Sequence, residues 1–254
     1  MIVCKSPGEI ERMRAANALV ADVLAELAAI VAPGVTTRDL DEIAERLVRE
    51  RGAEPAFKGY RGYPATLCAS VNEQVVHGIP SPRQLVDGDI VSLDMGVKLN
   101  GFYGDSAITV PVGEIGEDAR RLLTVTQEAL ERGISQVQVG GRISDIGHAV
   151  QQHVERHGFS VVREFVGHGI GAALHEEPQI ANYGEPGRGP RMAEGMVLAI
   201  EPMVNMGRPG VKVLSDGWTA VTRDGSLSAH FEHTVAVTKN GPMVLTARPV
   251  VAGR

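Results

Sequence analysis

The sequence predicts an α+β fold in which two similar halves each supply two helices followed by a β-hairpin. Apolar residues recur at helical spacing in two segments of each half. Between two apolar runs of the first half stands Asn100-Gly101, the strongest short-range signal for a tight β-hairpin. We therefore expect a pseudo-two-fold arrangement of four helices around a central antiparallel sheet.

The elements of the first half follow from their end signals. A capping pattern at Ser6 begins a long amphipathic helix, and Pro33-Gly34 ends it. A second helix is predicted from Thr37 to just before Gly52. Residues 55–82 are rich in Gly, Pro and Tyr, which indicates loops and short strands ahead of the hairpin.

The second half repeats this plan at a nearly constant offset. Six positions of the helical segments match at an offset of 106 residues: Gly34 with Gly140, Asp39 with Asp145, Leu40 with Ile146, Ala44 with Val150, Val48 with Val154 and Gly52 with Gly158. In the strands, Gly88–Asp94 resembles Gly195–Glu201 at an offset of 107, and Asp105–Val110 resembles Glu232–Val237 at 127. The sequence thus predicts a second strand pair that also carries two carboxylates.

Composition bounds the class of protein. The chain has 254 residues, a net charge of −6 and only two cysteines, Cys4 and Cys68. The charge argues against a nucleic-acid or anionic-membrane binder, and two cysteines are too few for a disulfide framework. No run approaches the ~18 apolar residues of a membrane-spanning helix. We expect a soluble, cytoplasmic protein with no membrane partner.

Four carboxylates and one histidine form the predicted centre of the molecule. The first hairpin brings Asp94 and Asp105 together, and the repeat adds Glu201 and Glu232. Like charges this close in a half-buried sheet require a proton or a cation between them. His168, held between glycines, is the best candidate to complete the site. This oxygen-rich set suits Mn²⁺, Fe²⁺, Co²⁺ or Zn²⁺, and it has enough carboxylates for two ions about 3.5–4 Å apart.

The other histidines divide into two groups. His77 and His175 lie in Gly/Pro-rich loops, where they are candidates for proton transfer near a metal or, alternatively, loop-packing residues. His153 and His157 stand one helical turn apart; that spacing can bind metal, but a solvated helix face is the expectation.

Two histidines flank the last carboxylate. His230 and His233 lie on either side of Glu232. Strand alternation predicts that both point away from the face that carries the carboxylate.

In combination, these motifs resemble type I methionine aminopeptidase, a pita-bread metallopeptidase. The matching segments are Asn72-Glu73, His77–Pro80, Gly101–Asp105, Gly167–Gly171, His175–Pro178, Ile200–Asn205 and Ser228–Thr234. The resemblance runs from about Ser6 to Thr246. It implies the pita-bread fold in a single catalytic domain over residues 1–254, with halves of about 6–112 and 117–246 and no N-terminal extension.

The resemblance also implies an activity and a dinuclear metal centre. Such enzymes remove the initiator methionine from nascent chains when the second residue is small, by metal-hydroxide attack on the first peptide bond. By resemblance Asp94 binds one ion, His168 and Glu201 bind the other, and Asp105 and Glu232 bridge both. The ions would be drawn from Co, Mn, Fe, Zn and Ni.

Further roles are carried over from the same family. His77 and His175 would contact the scissile peptide, and Glu201 is the candidate to accept a proton from the attacking hydroxide. A structural monovalent cation is implied near Asn72 and Ser228. The partners implied are nascent N-termini and the ribosome, with a monomeric enzyme.

The methionine pocket matches the family in part. The matching residues are Tyr60, Tyr63, Cys68, His77, His175 and Trp218. This sequence departs from the family at Leu174, where an aromatic ring is common, and at Phe57, where a smaller residue is common. We interpret the two departures as a roughly volume-conserving exchange that keeps an apolar slot for an unbranched thioether.

Three rival interpretations remain. A prolidase or aminopeptidase P would be expected to carry a large N-terminal domain ahead of the metal residues. A catalytically inactive pita-bread binding module at the ribosome would be expected to lack several ligands, and all five are present with both histidines. A metal-sequestering protein would explain neither His77 nor His175.

Overall fold

The computed structural model describes residues 1–247 and shows four helices and fifteen strands in this range. The last part of the predicted domain of residues 1–254, residues 248–254, lies outside the described residues. The helices are α1 (Pro7–Ile30), α2 (Thr37–Glu50), α3 (Glu117–Ile134) and α4 (Ile143–Arg156). The strands are β1 (Glu54–Pro55), β2 (Cys68–Val71), β3 (Gln74–Val76), β4 (Ile90–Leu99), β5 (Phe102–Pro111), β6 (Ser160–Val161), β7 (Gly167–Gly169), β8 (Glu176–Ile180), β9 (Val197–Ile200), β10 (Met203–Asn205), β11 (Val211–Val213), β12 (Ala220–Thr222), β13 (Ser228–His230), β14 (His233–Thr238) and β15 (Gly241–Val244).

The helix starts confirm the predicted caps. Ser6 caps α1 through a capping box, in which the Glu9 carboxylate accepts the Ser6 amide at 2.8 Å. The two halves then use the same device at equivalent positions. Asp39 accepts the Thr36 amide at 2.9 Å to start α2, and Asp145 accepts the Arg142 amide at 2.8 Å to start α4.

Glycines at equivalent positions strengthen the repeat. Gly34 and Gly140 precede α2 and α4 with φ of 92° and 89°. Gly52 and Gly158 follow the same helices with φ of 73° and 79°. Because this left-handed region strongly favours glycine, the matched positions reflect one backbone path used twice.

The first half contains the predicted hairpin of β4 and β5. Its turn residues Asn100 and Gly101 have φ of 52° and 83°, as a tight two-residue hairpin turn requires. In the register of the pair, Asp105 lies opposite Gly96, and Asp94 lies opposite Ala107. Both carboxylates therefore share one face as diagonal neighbours. Strands β1 and β2 pair with the other edge of β4.

The second half pairs β9 with β14 in the five-stranded sheet β15-β14-β9-β7-β8. His233 lies opposite Ile200, so the predicted antiparallel pairing is confirmed. The prediction of a hairpin in this half is wrong, however, because residues 202–232, which contain β10–β13, lie between Glu201 at the end of β9 and the start of β14. The jump in repeat offset from 107 to 127 marks this insertion.

Three hydrogen bonds join the two sheets beside the carboxylates. The Glu232 amide donates to the Ala107 carbonyl at 2.9 Å, and the Ser106 hydroxyl donates to the Glu232 carbonyl at 2.6 Å. The Thr234 hydroxyl donates to the Asp105 carbonyl at 2.8 Å. We call these contacts the seam, and they bring the carboxylate-bearing ends of both strand pairs to one place.

The helices cover the sheets and form the core. The helices α1 and α2 pack on the first-half sheet, where Leu24 and Leu40 belong to the same buried cluster as Leu93. On the second half, α3 and α4 pack in the same way; Val125 and Val150, for example, lie with buried residues of β10 and β13. Within residues 1–247, no helix has both the length and the apolar character needed to cross a membrane.

Candidate active site

Four largely buried carboxylates meet where the two strand pairs join. Asp94 and Asp105 project from inside β4 and β5, whereas Glu201 directly follows β9 and Glu232 directly precedes β14. All four line one cavity of about 160 Å³. The longer glutamate side chains come from strand ends, and the shorter aspartates come from strand interiors. The predicted convergence is thus present.

The electrostatics of this cluster indicate a missing positive charge. Burial, together with the neighbouring carboxylates, raises the pKa of Asp94, Glu201 and Glu232 well above the usual range. Burial also raises the pKa of Asp105. Among the described residues, Asp105 Oδ1 and Glu232 Oε1 have no hydrogen-bond partner. Buried acceptors without donors are costly in a protein but are what a hard or borderline cation requires.

His168 faces the carboxylates from β7. Its Nδ1–H donates to the Gly169 carbonyl at 2.9 Å, which leaves the Nε2 lone pair free. Nε2 lies 3.6 Å from Glu201 Oε1 and 3.9 Å from Asp105 Oδ2. Burial lowers its pKa to about 4, so the imidazole is neutral near pH 7. Ligand atoms of His168, Asp105 and Glu232 lie within 4.8 Å of one another.

His77 occupies a strained position above the site. Its φ is 60°, an uncommon value for a residue other than glycine. The next residue, Gly78, packs so closely on β2 that a Cβ would lie 2.5 Å from the Ala69 carbonyl oxygen. The His77 ring is held edge-on to Phe165 and Trp218, with centroids 5.3 and 6.1 Å away. Burial lowers its pKa to about 4.

His175 lies at the mouth of the cavity. Its Nδ1 is 2.9 Å from the Tyr60 hydroxyl, and the two rings stack at 5.2 Å. The His168 ring centroid is 4.2 Å away. Burial and the Arg61 guanidinium lower the pKa of His175. The sequence prediction that this loop histidine belongs to the site agrees with its position.

The apolar part of the cavity gathers every residue predicted for the methionine pocket. These are Phe57, Tyr60, Tyr63, Cys68, His77, Leu174, His175 and Trp218. Tyr63 donates its hydroxyl to main-chain carbonyls, and its ring meets Trp218 edge-on at 5.1 Å. Arg61 also lines the cavity and was not among the predicted residues. The sequence signal that could have identified Arg61 is its position directly after Tyr60, a predicted pocket residue.

His230 contradicts the expectation that it turns away from the carboxylates. The residue is buried, and its Nε2 lies 3.6 Å from Glu201 Oε2. Residues two apart on a strand point to the same face, so alternation favours a position of His230 beside Glu232, and the expectation was wrong. Neither ring nitrogen has a hydrogen-bond partner among residues 1–247. The only sequence signal was its place two residues before Glu232.

The segments implied for a monovalent cation are neighbours. The Ser228 amide donates to the Asn72 carbonyl at 2.9 Å. The Asn72 side chain is already engaged, because it accepts the Ile90 amide at 3.0 Å and donates to Asp89 at 2.7 Å. Carbonyl oxygens, and not this side chain, are therefore the groups left for an ion.

Comparisons with known proteins agree with this geometry. The model of metallopeptidase family M24 matches residues 11–239. Methionine aminopeptidase 1 of Bacillus subtilis is 55% identical over 246 residues, which are 97% of this chain and 99% of the relative. Methionine aminopeptidase 1 of Mycobacterium tuberculosis is 49% identical over 95% of this chain and 94% of its own length.

Solved structures give the same result and show the fold. The methionine aminopeptidase of Thermotoga maritima superposes with a TM-score of 0.96 at 48% identity, covering 98% of this chain and 100% of that one. Prolidase of Pyrococcus furiosus has a TM-score of 0.77 at 23% identity and covers 97% of this chain but 66% of its own. The pita-bread fold predicted from the motifs is confirmed.

Proposed function

The chain belongs to the methionine aminopeptidases of metallopeptidase family M24, and on that premise we propose that it removes the N-terminal initiator methionine from new chains whose second residue is small. The observation that carries the proposal is the cluster of four carboxylates and His168 beside an apolar, aromatic-lined cavity. The alternative of an inactive binding module is not supported, since the predicted ligands and both loop histidines line one cavity.

We propose that Asp94, Asp105, His168, Glu201 and Glu232 hold two divalent metal ions. The unpaired Asp105 and Glu232 oxygens and the free Nε2 of His168 support this assignment. When bound, such ions lower the pKa of water and polarise a carbonyl. Asp105 and Glu232 come from opposite halves across the seam, which suits them to serve both ions, with Asp94 serving one and His168 and Glu201 the other.

The protein's own groups then act on the peptide. Glu201, whose carboxylate faces both His168 and His230, is the candidate to accept a proton in the reaction. His77 and His175, with lowered pKa values, are neutral near pH 7. A neutral imidazole offers one N–H donor and one acceptor. We assign them to the scissile peptide, where a donor can stabilise negative charge that develops on the carbonyl oxygen.

The pocket selects an unbranched thioether side chain. Phe57 and Leu174 both pack in the cluster that lines this side of the cavity, which supports a compensating exchange of size between them. Tyr63, Cys68 and Trp218 form the other wall, where sulfur–aromatic contacts are favourable. We expect methionine and norleucine to fit, and leucine, branched at Cγ, to be rejected.

Several consequences of the assignment remain predictions. The cytoplasm is the expected location because new chains emerge there. Contact with the ribosome, a monomeric state, the identity of the ions and a monovalent cation near Asn72 and Ser228 are expected by family resemblance.

The test is hydrolysis of Met-Ala-Ser after chelation and after titration with Mn²⁺, Fe²⁺, Co²⁺, Zn²⁺ or Ni²⁺. We expect no turnover in chelator, recovery with metal and release of free methionine. Norleucine-Ala-Ser should be cleaved and Leu-Ala-Ser should not. Turnover that survives chelation would contradict the metal assignment, and efficient leucine release would contradict the pocket assignment.

A further inference from the structure

We propose that Glu128, His153 and His157 bind a Zn²⁺ ion on the outer face of helices α3 and α4, apart from the active site. The helix spacing of the two histidines predicted a solvated face. In the structure both rings are half-buried, and a carboxylate from the neighbouring helix lies against them. None of the three residues lines the active-site cavity.

The three side chains converge from two helices. His153 and His157 lie one turn apart at the end of α4, with ring centroids 4.5 Å apart and ring planes inclined by 52°. Glu128 reaches them from α3. One ligand atom from each residue can be chosen so that all three lie within 4.8 Å of one another. Imidazole nitrogen and carboxylate oxygen are the usual ligands of Zn²⁺ outside thiolate sites.

The hydrogen bonds of the cluster prepare it for a metal. The His157 Nδ1–H donates to the His153 carbonyl at 2.8 Å, so the Nε2 of His157 carries the lone pair. Metal-binding histidines usually show this arrangement, because a backbone carbonyl fixes the ring and its tautomer. The nitrogen that remains free is therefore the one that can coordinate.

The spacing of the other two ligands also fits. His153 Nε2 lies 2.9 Å from Glu128 Oε2. Two ligands bound to one tetrahedral ion at about 2.0–2.1 Å lie about 3.3 Å apart. A shift of a few tenths of an ångström would turn this contact into shared coordination. The exposed Glu128 side chain can make that shift, and solvent can supply the fourth ligand.

Three arginines lie near the cluster. Arg132 and Arg156 line the same surface pocket as His153, and Arg121 donates to the main-chain carbonyl of His157, not to a ligand atom. Its guanidinium also lies over the Phe159 ring at 5.0 Å. An ion held by both helices would cross-link α3 and α4 and raise the melting temperature as the free Zn²⁺ concentration rises above the dissociation constant.

The test compares zinc stoichiometry between the full-length protein and the double variant H153Q/H157Q. After chelation, both are dialysed against Zn²⁺, and bound metal is measured by atomic absorption. We expect the wild type to bind one more ion per chain than the variant. Methionine release from Met-Ala-Ser by the metal-loaded variant should match wild type. Because the readout is a difference between the two chains, it does not depend on the proposed function.

A matched control is available on the same helix. His148 of α4 bonds the Gly184 carbonyl and lies outside the cluster, so His148→Gln should keep the wild-type stoichiometry. Glu128→Gln should weaken the additional zinc at least about tenfold. It serves as the second variant if H153Q/H157Q fails to fold.

Ring resonances give an independent readout. Zn²⁺ should shift the ring ¹⁵N signals of His153 and His157 while those of His148 stay in place. Equal stoichiometry in folded wild type and variant, or unmoved His157 signals at saturating zinc, would overturn the proposal. In that case the contact between His153 and Glu128 is an ion pair or hydrogen bond only.

Discussion

The two halves build the same carboxylate pair from different strand connections. In the first half, β4 and β5 are ten residues each and meet at the Asn100-Gly101 turn. In the second half, β9 has only four residues, and residues 202–232 intervene before β14. The first pair is a continuous ladder that holds its aspartates rigidly. The second pair presents glutamates from strand ends and leaves room for an insertion.

The insertion returns to the first half and completes the pocket. Its strand β12 pairs with β3, placing Ala220 opposite Val76, the residue before His77. The same insertion carries Trp218 and His230. The equivalent strand positions of the two halves thus supply the carboxylates, with Glu232 at the last position of the insertion. Trp218 of the insertion adds a wall to a pocket that first-half residues such as Tyr63 and Cys68 also form. This division can be tested by variants in each part.

The largest effect is expected when a carboxylate shared across the seam is neutralised. Asp105→Asn and its counterpart Glu232→Gln should each lower kcat/KM by at least about 10³-fold and remove at least one metal ion per chain. Metal analysis and Met-Ala-Ser kinetics measure both. If one variant keeps the wild-type metal content while the other loses an ion, the two halves are not equivalent here.

His77 tests the contact between the insertion and the first half. His77→Ala should lower kcat by about 10²–10³-fold, because a neutral donor to the scissile peptide is lost. Its metal content should stay near that of wild type, since the ring is assigned to substrate. Metal loss measured by atomic absorption would contradict that role.

His230 is expected to act through Glu201, as a positioning residue. His230→Leu should reduce kcat/KM by about 10–100-fold, the range found when a group that orients a metal ligand is removed. His230→Gln should recover part of the loss, because it restores a donor near Glu201. The control is His233→Gln on β14, whose Nδ1 contacts Thr246 instead, and which should stay close to wild type. A wild-type kcat/KM in His230→Leu would contradict the positioning role of His230.

The carboxylate cluster makes a prediction for pH in the metal-free protein. A folded-state pKa of Glu201 raised above its ordinary value near 4.3 means that folding binds protons. That stabilisation is complete below about pH 4 and is lost as pH rises through the raised pKa. Glu201→Gln has no carboxyl group to ionise at this position, so it should not lose this stability as pH rises. The melting temperature of the variant minus that of wild type should therefore increase from pH 5 to pH 8.

The expected result is a direction: the difference in melting temperature between Glu201→Gln and wild type grows as pH rises, because the pKa of Glu201 is raised. The lowered histidine pKa values act in both proteins and cancel in the comparison. Exposed Glu54→Gln should show no such change with pH. A difference that is constant from pH 5 to pH 8 would contradict the pKa direction given for Glu201.

The smallest effect is expected at the first-half turn. Gly101→Ala places a Cβ at φ 83° and should lower the free energy of unfolding by about 1–2 kcal/mol. Because neither Asn100 nor Gly101 lines the active-site cavity, kcat on Met-Ala-Ser should not change. Denaturant unfolding measures the free energy of unfolding, and steady-state kinetics measure kcat. A lower kcat would mean that hairpin geometry is transmitted to the site.

Sequence reasoning predicted the parts of the molecule that depend on local signals. The cap at Ser6 and the Asn100-Gly101 turn involve groups a few residues apart, and both appear in the structure. The repeat offset brought Glu201 and Glu232 to the same place as Asp94 and Asp105, because equivalent positions of the two halves lie at equivalent points of the fold. The activity itself came from family motifs, not from local physics.

What could not be predicted depends on contacts between distant segments. The expectation for His230 was wrong because residues 230 and 232 are two apart and share a face. Its contact with Glu201 joins segments 29 residues apart, which no local pattern brings together. The contact of Glu128 with His153 joins two helices whose relative rotation no single-helix pattern gives. Arg61 lines the cavity because its backbone is left-handed, with φ of 50°. Arginine is not a residue type that predicts this backbone conformation.

The seam also decides how a peptide reaches the site. Parting the halves would break the hydrogen bonds of Glu232, Ser106 and Thr234 together, at about 1 kcal/mol each, in addition to any ions shared across them. Arg61 and His175 are the exposed residues among those that line the cavity, so its open side lies beside them and away from the seam. The contacts that assemble the carboxylates thus also close the cavity on the side where the two halves meet.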